Sequence, residues 1–387
     1  MATHPIPVTI LTGFLGAGKT TALNHLLVQP HGRKLFVIQN ELGRESVDTH
    51  LLVSIEEEQI AEINGCICCS VRADLASLLM ELADLRHGVL SRMKNRRLRF
   101  DHVVIETTGI ADPLPIAHVF NKLADVAEEY ALAGIVTLVD ARLAERQLER
   151  EAAAQRQAAY ADLIVINKAD LVEASELDRL RGRMQAINPV AKVLTATRGQ
   201  IDPGELLELG AMAQPARLME ALDRLAAKEA APAHAHGHGH HHHHGGEDHG
   251  PEGHVGEGRD PDHGHEAARV DAAHGSGAVS GRPLAAVHGQ IRSCVLKEPR
   301  RLDRQRFIEW LDALFTDQGE GLLRMKGLLR FEGEPRCMLV QGVGEHLEME
   351  LVDPPRGYVA EGSMLVLIGR GLNEAAAQRG LSGCGVG

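Results

Sequence analysis

The sequence GFLGAGKT, residues 13–20, decides the fold of the first half of this chain. It fits the pattern G-x-x-x-x-G-K-[ST], in which a glycine-rich loop joins a strand to a helix. The context agrees, because a short apolar run precedes the loop at 8–11 and a helical pattern follows it at 20–28. An ordinary glycine turn before a helix is the competing interpretation, but this context favours a phosphate-binding loop.

The residues of this loop have distinct expected roles. Backbone N–H groups of a glycine loop can point at phosphate oxygens, and the dipole of the following helix attracts negative charge. Lys19 is expected to bridge the β- and γ-phosphates, and the Thr20 hydroxyl is expected to bind Mg²⁺. The predicted nucleotide-binding residues of the loop are Gly13, Gly16, Ala17, Gly18, Lys19, Thr20 and Thr21.

Outward from the loop, β-like runs alternate with helical stretches. The apolar, often β-branched runs lie at 8–11, 35–38, 102–105, 134–139, 163–166 and 193–195. The helical stretches lie at 20–28, 75–85, 114–123, 143–159 and 175–187. This alternation predicts an α/β fold with a doubly wound, mostly parallel sheet that is covered on both faces.

The composition changes abruptly at residues 229–282. These residues contain 13 of the 22 His and 12 of the 40 Gly but no Leu, Ile, Met or aromatic residue, so they cannot build a core. We predict a disordered His-rich linker there, between a P-loop domain at 1–228 and a small α+β domain at 283–387. The second domain is expected to have strands at 285–296, 322–331, 337–343, 347–352 and 364–368, with a helix near 304–315.

Composition also limits the partners. Aromatic residues make up 3% of the chain and the formal net charge is -12, which argues against nucleic acid as a main partner. No apolar run approaches the ~20 residues that span a bilayer, and no Lys or Arg precedes Lys19 as a secretory signal would require. We therefore expect a cytoplasmic protein that binds no membrane.

A second motif predicts which base is bound. Asn167, Lys168 and Asp170 directly follow the apolar run at 163–166. Asp170 can accept hydrogen bonds from guanine N1 and the exocyclic amine, whereas adenine has no donor at N1. The Lys168 stem can lie along the base, and Asn167 can brace the loop or reach the guanine edge. A plain surface turn is the alternative, but GTP is favoured over ATP.

Glu106 and Gly109 lie between these two motifs, at the end of the run at 102–105. A carboxylate beside a phosphate loop can hold Mg²⁺ or its water, and the Gly109 N–H can sense the γ-phosphate. A solvated glutamate at a strand end is the alternative. Glu106, Lys19 and Thr20 are the predicted catalytic residues. No arginine finger or catalytic glutamine is identifiable, so slow intrinsic hydrolysis is expected.

Three thiols within four residues indicate metal chemistry. Cys66, Cys68 and Cys69 are half of the six cysteines in the chain, and thiolates suit Zn²⁺ and Cu⁺. An open coordination position would leave the ion exchangeable. Buried small residues or a redox thiol pair are the alternatives. The His-rich segment can also bind divalent metal ions weakly, or it is a solvated spacer.

Five motifs in this order resemble those of the CobW-type metallochaperone GTPases: GFLGAGKTT, QNELG, GCICC, ETTG and NKAD. The resemblance covers residues 8 to about 227, and the His-rich linker followed by a small domain also fits. GCICC distinguishes the chain from the nickel-inserting relatives. The resemblance implies GTP hydrolysis coupled to transfer of a metal ion, often zinc, from Cys66, Cys68 and Cys69 to a client metalloprotein.

The resemblance also makes Glu41 the switch carboxylate and a candidate metal ligand, although Arg44 stands where the family commonly has another acid. Three hypotheses remain open at this point. The chain is a zinc chaperone, a cobalt chaperone for cobalamin synthesis or nitrile hydratase, or a nucleotide-regulated metal buffer. A homodimer is a further expectation.

Overall fold

The computed structural model describes residues 5–39, 59–62, 71–87, 99–209, 215–230, 290–353 and 362–387. The chain divides into two units, the first of which comprises residues 1–229 and 289–387. Two β-sheets belong to the first unit. No helix in the described ranges is both long enough and apolar enough to cross a membrane.

The first sheet is wholly parallel in its described strands. These strands are β1 (Ile6–Gly13), β2 (Leu35–Gln39), β3 (Gln59–Glu62), β4 (His102–Glu106), β5 (Tyr130–Asp140), β6 (Leu163–Asn167) and β7 (Lys192–Thr195). Their order in the sheet is β3-β2-β4-β1-β5-β6-β7. Because β1 lies between β4 and β5, the carboxyl end of β1 meets the ends of both neighbours. This is the switch point at which doubly wound sheets bind ligands.

Helices connect these strands. They are α1 (Lys19–Val28), α2 (Val71–His87), α3 (Leu114–Lys122), α4 (Ala124–Glu129), α5 (Ala144–Arg150), α6 (Ala152–Tyr160), α7 (Ala174–Ile187), α8 (Pro203–Leu207) and α9 (Pro215–Ala230). The predicted α/β fold class is confirmed. Both faces of the sheet are buried, since Leu163 and Val165 belong to one apolar cluster and Ile164 and Ile166 to another. Continuous apolar strands are needed for that arrangement.

The second sheet is antiparallel. Its strands are β8 (Ile291–Glu298), β9 (Leu322–Leu329), β10 (Cys337–Val343), β11 (His346–Val352) and β12 (Ser363–Arg370), in the order β11-β10-β9-β12-β8. Helices α10 (Arg304–Gln318) and α11 (Glu374–Gly383) complete this part. The side chains of Asp303 and Asn373 cap the two helices by accepting hydrogen bonds from backbone N–H groups of the first turn. The predicted small α+β fold is therefore confirmed.

One predicted helix differs from the structure, and several elements were not predicted. The single helix expected at 143–159 is two helices, because Glu151 has an extended backbone (φ -115°, ψ 107°). Helix propensity is high throughout that segment, so tertiary packing sets the break. Helices α4, α8, α9 and α11 and strand β3 were not predicted. Strand β8 begins at Ile291 in the described residues, while 285–289 of the predicted strand lie outside them.

The two sheets share buried contacts within the first unit. One apolar cluster contains Leu148 and Ile187 of the first part together with Ile291, Leu323 and Leu339 of the second. The C-terminal sheet therefore packs on α5, α6 and α7 through apolar side chains. The domain boundaries at 228 and 283 remain predictions, and the expected linker lies almost wholly outside the described residues.

Candidate nucleotide and metal site

The loop after β1 has the backbone that its glycines permit. Gly13, Gly16 and Gly18 have φ values of 143°, 76° and 96°. At Gly13 a Cβ would overlap the carbonyl oxygen of Leu138, so the neighbouring strand leaves no space for a side chain. Ala17 is fully buried, and its N–H donates to the Phe14 carbonyl at 3.1 Å. The loop is thus a tight turn against β5, in front of the N-terminus of α1.

Lys19 begins α1 and folds back over the loop. Its Nζ donates to the Gly13 carbonyl at 2.8 Å. Burial lowers the pKa of Lys19, and the nearby Glu106 carboxylate opposes that shift. An ammonium held in this position is suited to phosphate oxygens. The next two residues, Thr20 and Thr21, lie in the exposed first turn of the same helix.

Glu106 connects the phosphate loop with strand β2. Its carboxylate accepts a hydrogen bond from the Thr20 hydroxyl at 2.7 Å and another from Gln39 Nε2 at 2.8 Å. Glu106 is only 7% exposed. A hydroxyl and a carboxylate side by side are the oxygen ligands that Mg²⁺ takes beside nucleotide phosphates, so Thr20 and Glu106 fit that ion. Gln39 is the first residue of the QNELG motif, but the sequence assigned it no role.

Asn167 ends β6 and braces the phosphate loop. Its Nδ2 donates to the Ala17 carbonyl at 2.9 Å, and its Oδ1 accepts from the Gly199 N–H at 2.9 Å. Asn167 is 2% exposed. Of the two roles that the sequence left open, the geometry favours bracing over contact with the guanine edge.

Lys168 and Asp170 form the surface of the same turn. Lys168 has a left-handed backbone (φ 61°), and its Nζ pairs with Asp140 Oδ2 at 2.6 Å. Non-glycine residues in this region often occur at functional sites. Asp170 lies exposed in the 3₁₀ turn Ala169–Leu171. Asp140 was missed by sequence reasoning; its position at the carboxyl end of β5 is the signal that could have identified it.

The segment at residues 107–112, here called the Gly109 loop, lies against the phosphate loop. The Thr107 N–H donates to the Leu11 carbonyl at 3.0 Å. A Cβ on Gly109 would lie 2.7 Å from the backbone nitrogen of Leu15, so the two loops are in close contact. Gln157 of α6 donates to two carbonyls of the Gly109 loop, those of Gly109 and Ala111. Nothing in its Ala-rich helix distinguished Gln157 in the sequence.

The predicted metal ligands Glu41, Cys66, Cys68 and Cys69 lie outside the described residues. Within the described ranges, no group of three or more His, Cys, Asp or Glu side chains could hold a metal ion. The other three cysteines, Cys294, Cys337 and Cys384, are free thiols buried in the C-terminal part. Burial raises the pKa of Cys294 to about 11, which disfavours the thiolate that binds metals.

A phosphate loop at the switch point, an acidic strand end beside it and an N-K-x-D turn together define a P-loop GTPase. Residues 7–195 match the family model described as CobW/HypB/UreG, nucleotide-binding domain. Residues 291–385 match the model described as Cobalamin synthesis protein cobW C-terminal domain. The chain belongs to the CobW family of GTPases.

Relatives resemble the chain over nearly its whole length. The Zinc chaperone YjiA of Escherichia coli is 31% identical over 380 residues, covering 98% of this chain and 99% of the relative. The Zinc chaperone CobW of Sinorhizobium sp is 27% identical, covering 97% and 96%. The crystal structure of Zn(II)-bound YjiA GTPase from E. coli matches with a TM-score of 0.65 at 29% identity, covering 99% of both chains.

Proposed function

We propose that this GTPase is a metallochaperone that transfers zinc from Cys66, Cys68 and Cys69 to a client metalloprotein, with GTP hydrolysis controlling the release. Two relatives that align along nearly the whole chain are named zinc chaperones, and one similar structure is described as zinc-bound. Zinc is the cargo in this proposal. Two or three thiolates from one short segment, completed by Glu41, are a suitable donor set for a tetrahedral zinc ion.

The described residues support a division of labour at the nucleotide. Lys19 holds the β- and γ-phosphates, and the exposed Asp170 recognises guanine. Mg²⁺ with GTP would neutralise charge on the phosphates, held there by Thr20 with Glu106 beside it. The Gly109 loop contacts the phosphate loop and responds to the γ-phosphate. The remaining residues of the phosphate loop position its backbone N–H groups toward the phosphate oxygens.

The observation that carries the proposal is the hydrogen-bonded connection from Thr20 through Glu106 to Gln39. Gln39 is the last residue of β2, two residues before Glu41. A change in how Thr20 and Glu106 hold the magnesium ion would therefore alter the anchor of the segment that carries Glu41. In this way the nucleotide state would set the number of ligands available to zinc.

Zinc affinity measured at fixed nucleotide states tests this proposal. Competition with a chromogenic chelator is followed with a non-hydrolysable GTP analogue, with GDP and without nucleotide. We expect at least about a tenfold difference between the first two, which needs only about 1.4 kcal/mol, less than one charge-assisted contact. By reciprocity, bound zinc must shift the preference for GTP over GDP by the same factor.

The control is a variant with Cys66, Cys68 and Cys69 all changed to serine. It should lose only the part of the zinc binding that depends on the nucleotide state. Cobalt is titrated in the same assay to compare the two metals. Identical zinc affinity in all three nucleotide states would contradict GTP-controlled transfer and favour a metal buffer.

A further inference from the structure

Gln157 is a fully buried glutamine on α6 whose side chain reaches the Gly109 loop. Its Nε2 donates to the Gly109 carbonyl at 3.2 Å and to the Ala111 carbonyl at 2.9 Å. Its own backbone carbonyl accepts from the Thr137 hydroxyl at 2.7 Å, which fixes this turn of α6 on strand β5. Gln157 therefore joins a loop at the nucleotide site to the sheet behind it.

The orientation of this carboxamide follows from its partners. Both contacts are carbonyl oxygens, which can only accept, so the NH₂ end must face them. Gln157 Oε1 is buried without a hydrogen-bond partner among the described residues. Leaving a buried acceptor unsatisfied is costly. The unsatisfied Oε1 thus accompanies an arrangement in which both protons of the Gln157 NH₂ group bind the Gly109 loop.

The bonds of Gln157 set the direction of a peptide group. In a trans peptide the C=O and N–H groups point in opposite directions. Because Gln157 draws the Gly109 carbonyl toward α6, the Ile110 N–H of the same peptide faces away from α6. Ile110 itself is 54% exposed.

The loop has little freedom to move elsewhere. Gly109 also lies so close to Leu15 that a Cβ on Gly109 would be 2.8 Å from the Leu15 Cα. Asp112 at the end of the loop pairs with Arg156 of α6 at 2.8 Å. The Gly109 loop is thus held between the phosphate loop and two consecutive residues of one helix.

We propose that Gln157 is a positioning residue for GTP hydrolysis. It does not touch the nucleotide; by holding the Gly109 and Ala111 carbonyls it keeps the Gly109 loop, and with it the Gly109 N–H, in the position that engages the γ-phosphate. This rests on the role proposed above for the Gly109 loop. Loss of Gln157 should therefore weaken the binding of GTP but not of GDP. GDP lacks the γ-phosphate and should be bound equally well whether or not Gln157 holds the loop.

The test compares Gln157→Met and Gln157→Glu with the unaltered protein. Methionine keeps the volume and removes both donors, while glutamate places a carboxylate against two carbonyl oxygens. We expect the affinity for a non-hydrolysable GTP analogue and kcat for GTP each to fall about tenfold, the loss of two hydrogen bonds, with GDP affinity unchanged. The stronger effect is expected for Gln157→Glu.

Asn188→Leu is the matched control, because Asn188 is also fully buried and its Nδ2 donates to carbonyls at the end of α6, including Ala158 at 3.0 Å. It should lower thermal stability without changing the ratio of GTP-analogue to GDP affinity. All variants are assayed at temperatures where circular dichroism shows them folded, and Gln157→Met serves if Gln157→Glu does not fold.

Two outcomes distinguish the role of the Gly109 loop from that of Gln157. If the unaltered protein binds the GTP analogue and GDP alike, the proposed role of the Gly109 loop is wrong. If it discriminates between them and both Gln157 variants discriminate equally well, the loop senses the γ-phosphate without Gln157, and the positioning role is overturned.

Discussion

Asp170 is the residue on which guanine selectivity should depend. It lies exposed in the turn Ala169–Leu171, directly after Lys168, which has a left-handed backbone and an ion pair with Asp140. Asp170→Asn replaces a carboxylate by an amide and removes two charge-assisted hydrogen bonds to guanine. We expect GTP affinity to fall by on the order of 3 kcal/mol, about a hundredfold. Competition of GTP with ATP measures this, and equal turnover of ATP and GTP by the unaltered protein would contradict it.

His102 gives the chain a predictable response to acid. Its Nε2 lies 2.9 Å from the Thr9 hydroxyl, which itself donates to the Leu206 carbonyl, so the imidazole is the donor in the first contact. Burial, with the positive charges of Arg33 and His31, lowers the pKa of His102 from 6.5 to about 3. The folded protein therefore keeps this histidine neutral over most of that range.

The sign of the effect follows from proton uptake. Between pH 6.5 and pH 3 the unfolded chain binds a proton at His102 and the folded chain does not. The contribution of His102 to the free energy of unfolding is fully present above pH 6.5. It is lost as the pH falls toward 3, by about 1.4 kcal/mol per pH unit. Denaturant titrations at pH 7, 6 and 5 measure the slope. In His102→Gln the free energy of unfolding should depend less steeply on pH, by the uptake of one proton on unfolding. An unchanged slope would rule out the assignment of this effect to His102.

Motifs predicted residues at the nucleotide site but not their supporting contacts. Lys19, Thr20 and Asp170 could be identified because phosphate and guanine chemistry limits both residue type and spacing. Gln39, Asp140 and Gln157 are polar side chains whose partners are 67, 28 and about 48 residues away in the chain. Their roles depend on which strands become neighbours, and the local patterns around them do not specify those partners.

At the scale of elements, the phosphate loop depends on the packing of β1 against β5. Gly13→Ala would place a methyl group on the Leu138 carbonyl oxygen and strain a φ of 143°. We expect a loss on the order of 3 kcal/mol in the free energy of unfolding, since overlap with backbone and a strained φ add together. Urea denaturation without nucleotide measures this separately from phosphate binding.

Gly182→Ala is the control for that substitution. Gly182 lies within α7, with no atom near the position of its Cβ. Alanine there should stabilise the protein by about 1 kcal/mol, because it is the better helix former. If both alanine variants lost similar stability, the close approach of Gly13 to Leu138 would not be the cause.

Elements with strong local patterns were predicted well, and those that depend on tertiary contacts were not. Strand β10 was predicted with the bounds that the structure gives, because its apolar run ends at a turn. Strand β3, only four residues long and polar at both ends, forms by pairing with β2. The break between α5 and α6 occurs among good helix formers, so its cause is not local.

At the scale of the whole molecule, one buried charge cluster joins the two sheets. Asp162, the residue before β6, pairs with Arg324 and Lys326 of β9, and Arg324 also donates to the Tyr160 carbonyl at 2.8 Å. Burial alone would raise the pKa of Asp162, but the two cations outweigh it and hold that pKa below its usual range. One carboxylate thus compensates two buried positive charges.

Asp162→Ala should therefore be strongly destabilising. It leaves two buried cations without their shared partner, and removing one side of a buried ion pair costs about 3–5 kcal/mol. Adding Lys326→Met should recover part of that loss, because it removes one of the unpaired charges. Thermal unfolding of the single and double variants measures the coupling. Purely additive losses would mean that the cluster is not a cooperative unit.

The apolar cluster shared by the two sheets connects nucleotide binding with hydrogen exchange at distant amides. Since Ile187 and Leu148 pack in one core with Leu323 and Leu339, the C-terminal sheet should open only when the whole unit unfolds. A ligand at the phosphate loop then slows exchange throughout β9, by about a hundredfold at a concentration a hundred times its Kd. The amide protons of a strand that never touches GTP would thus report how much GTP is bound.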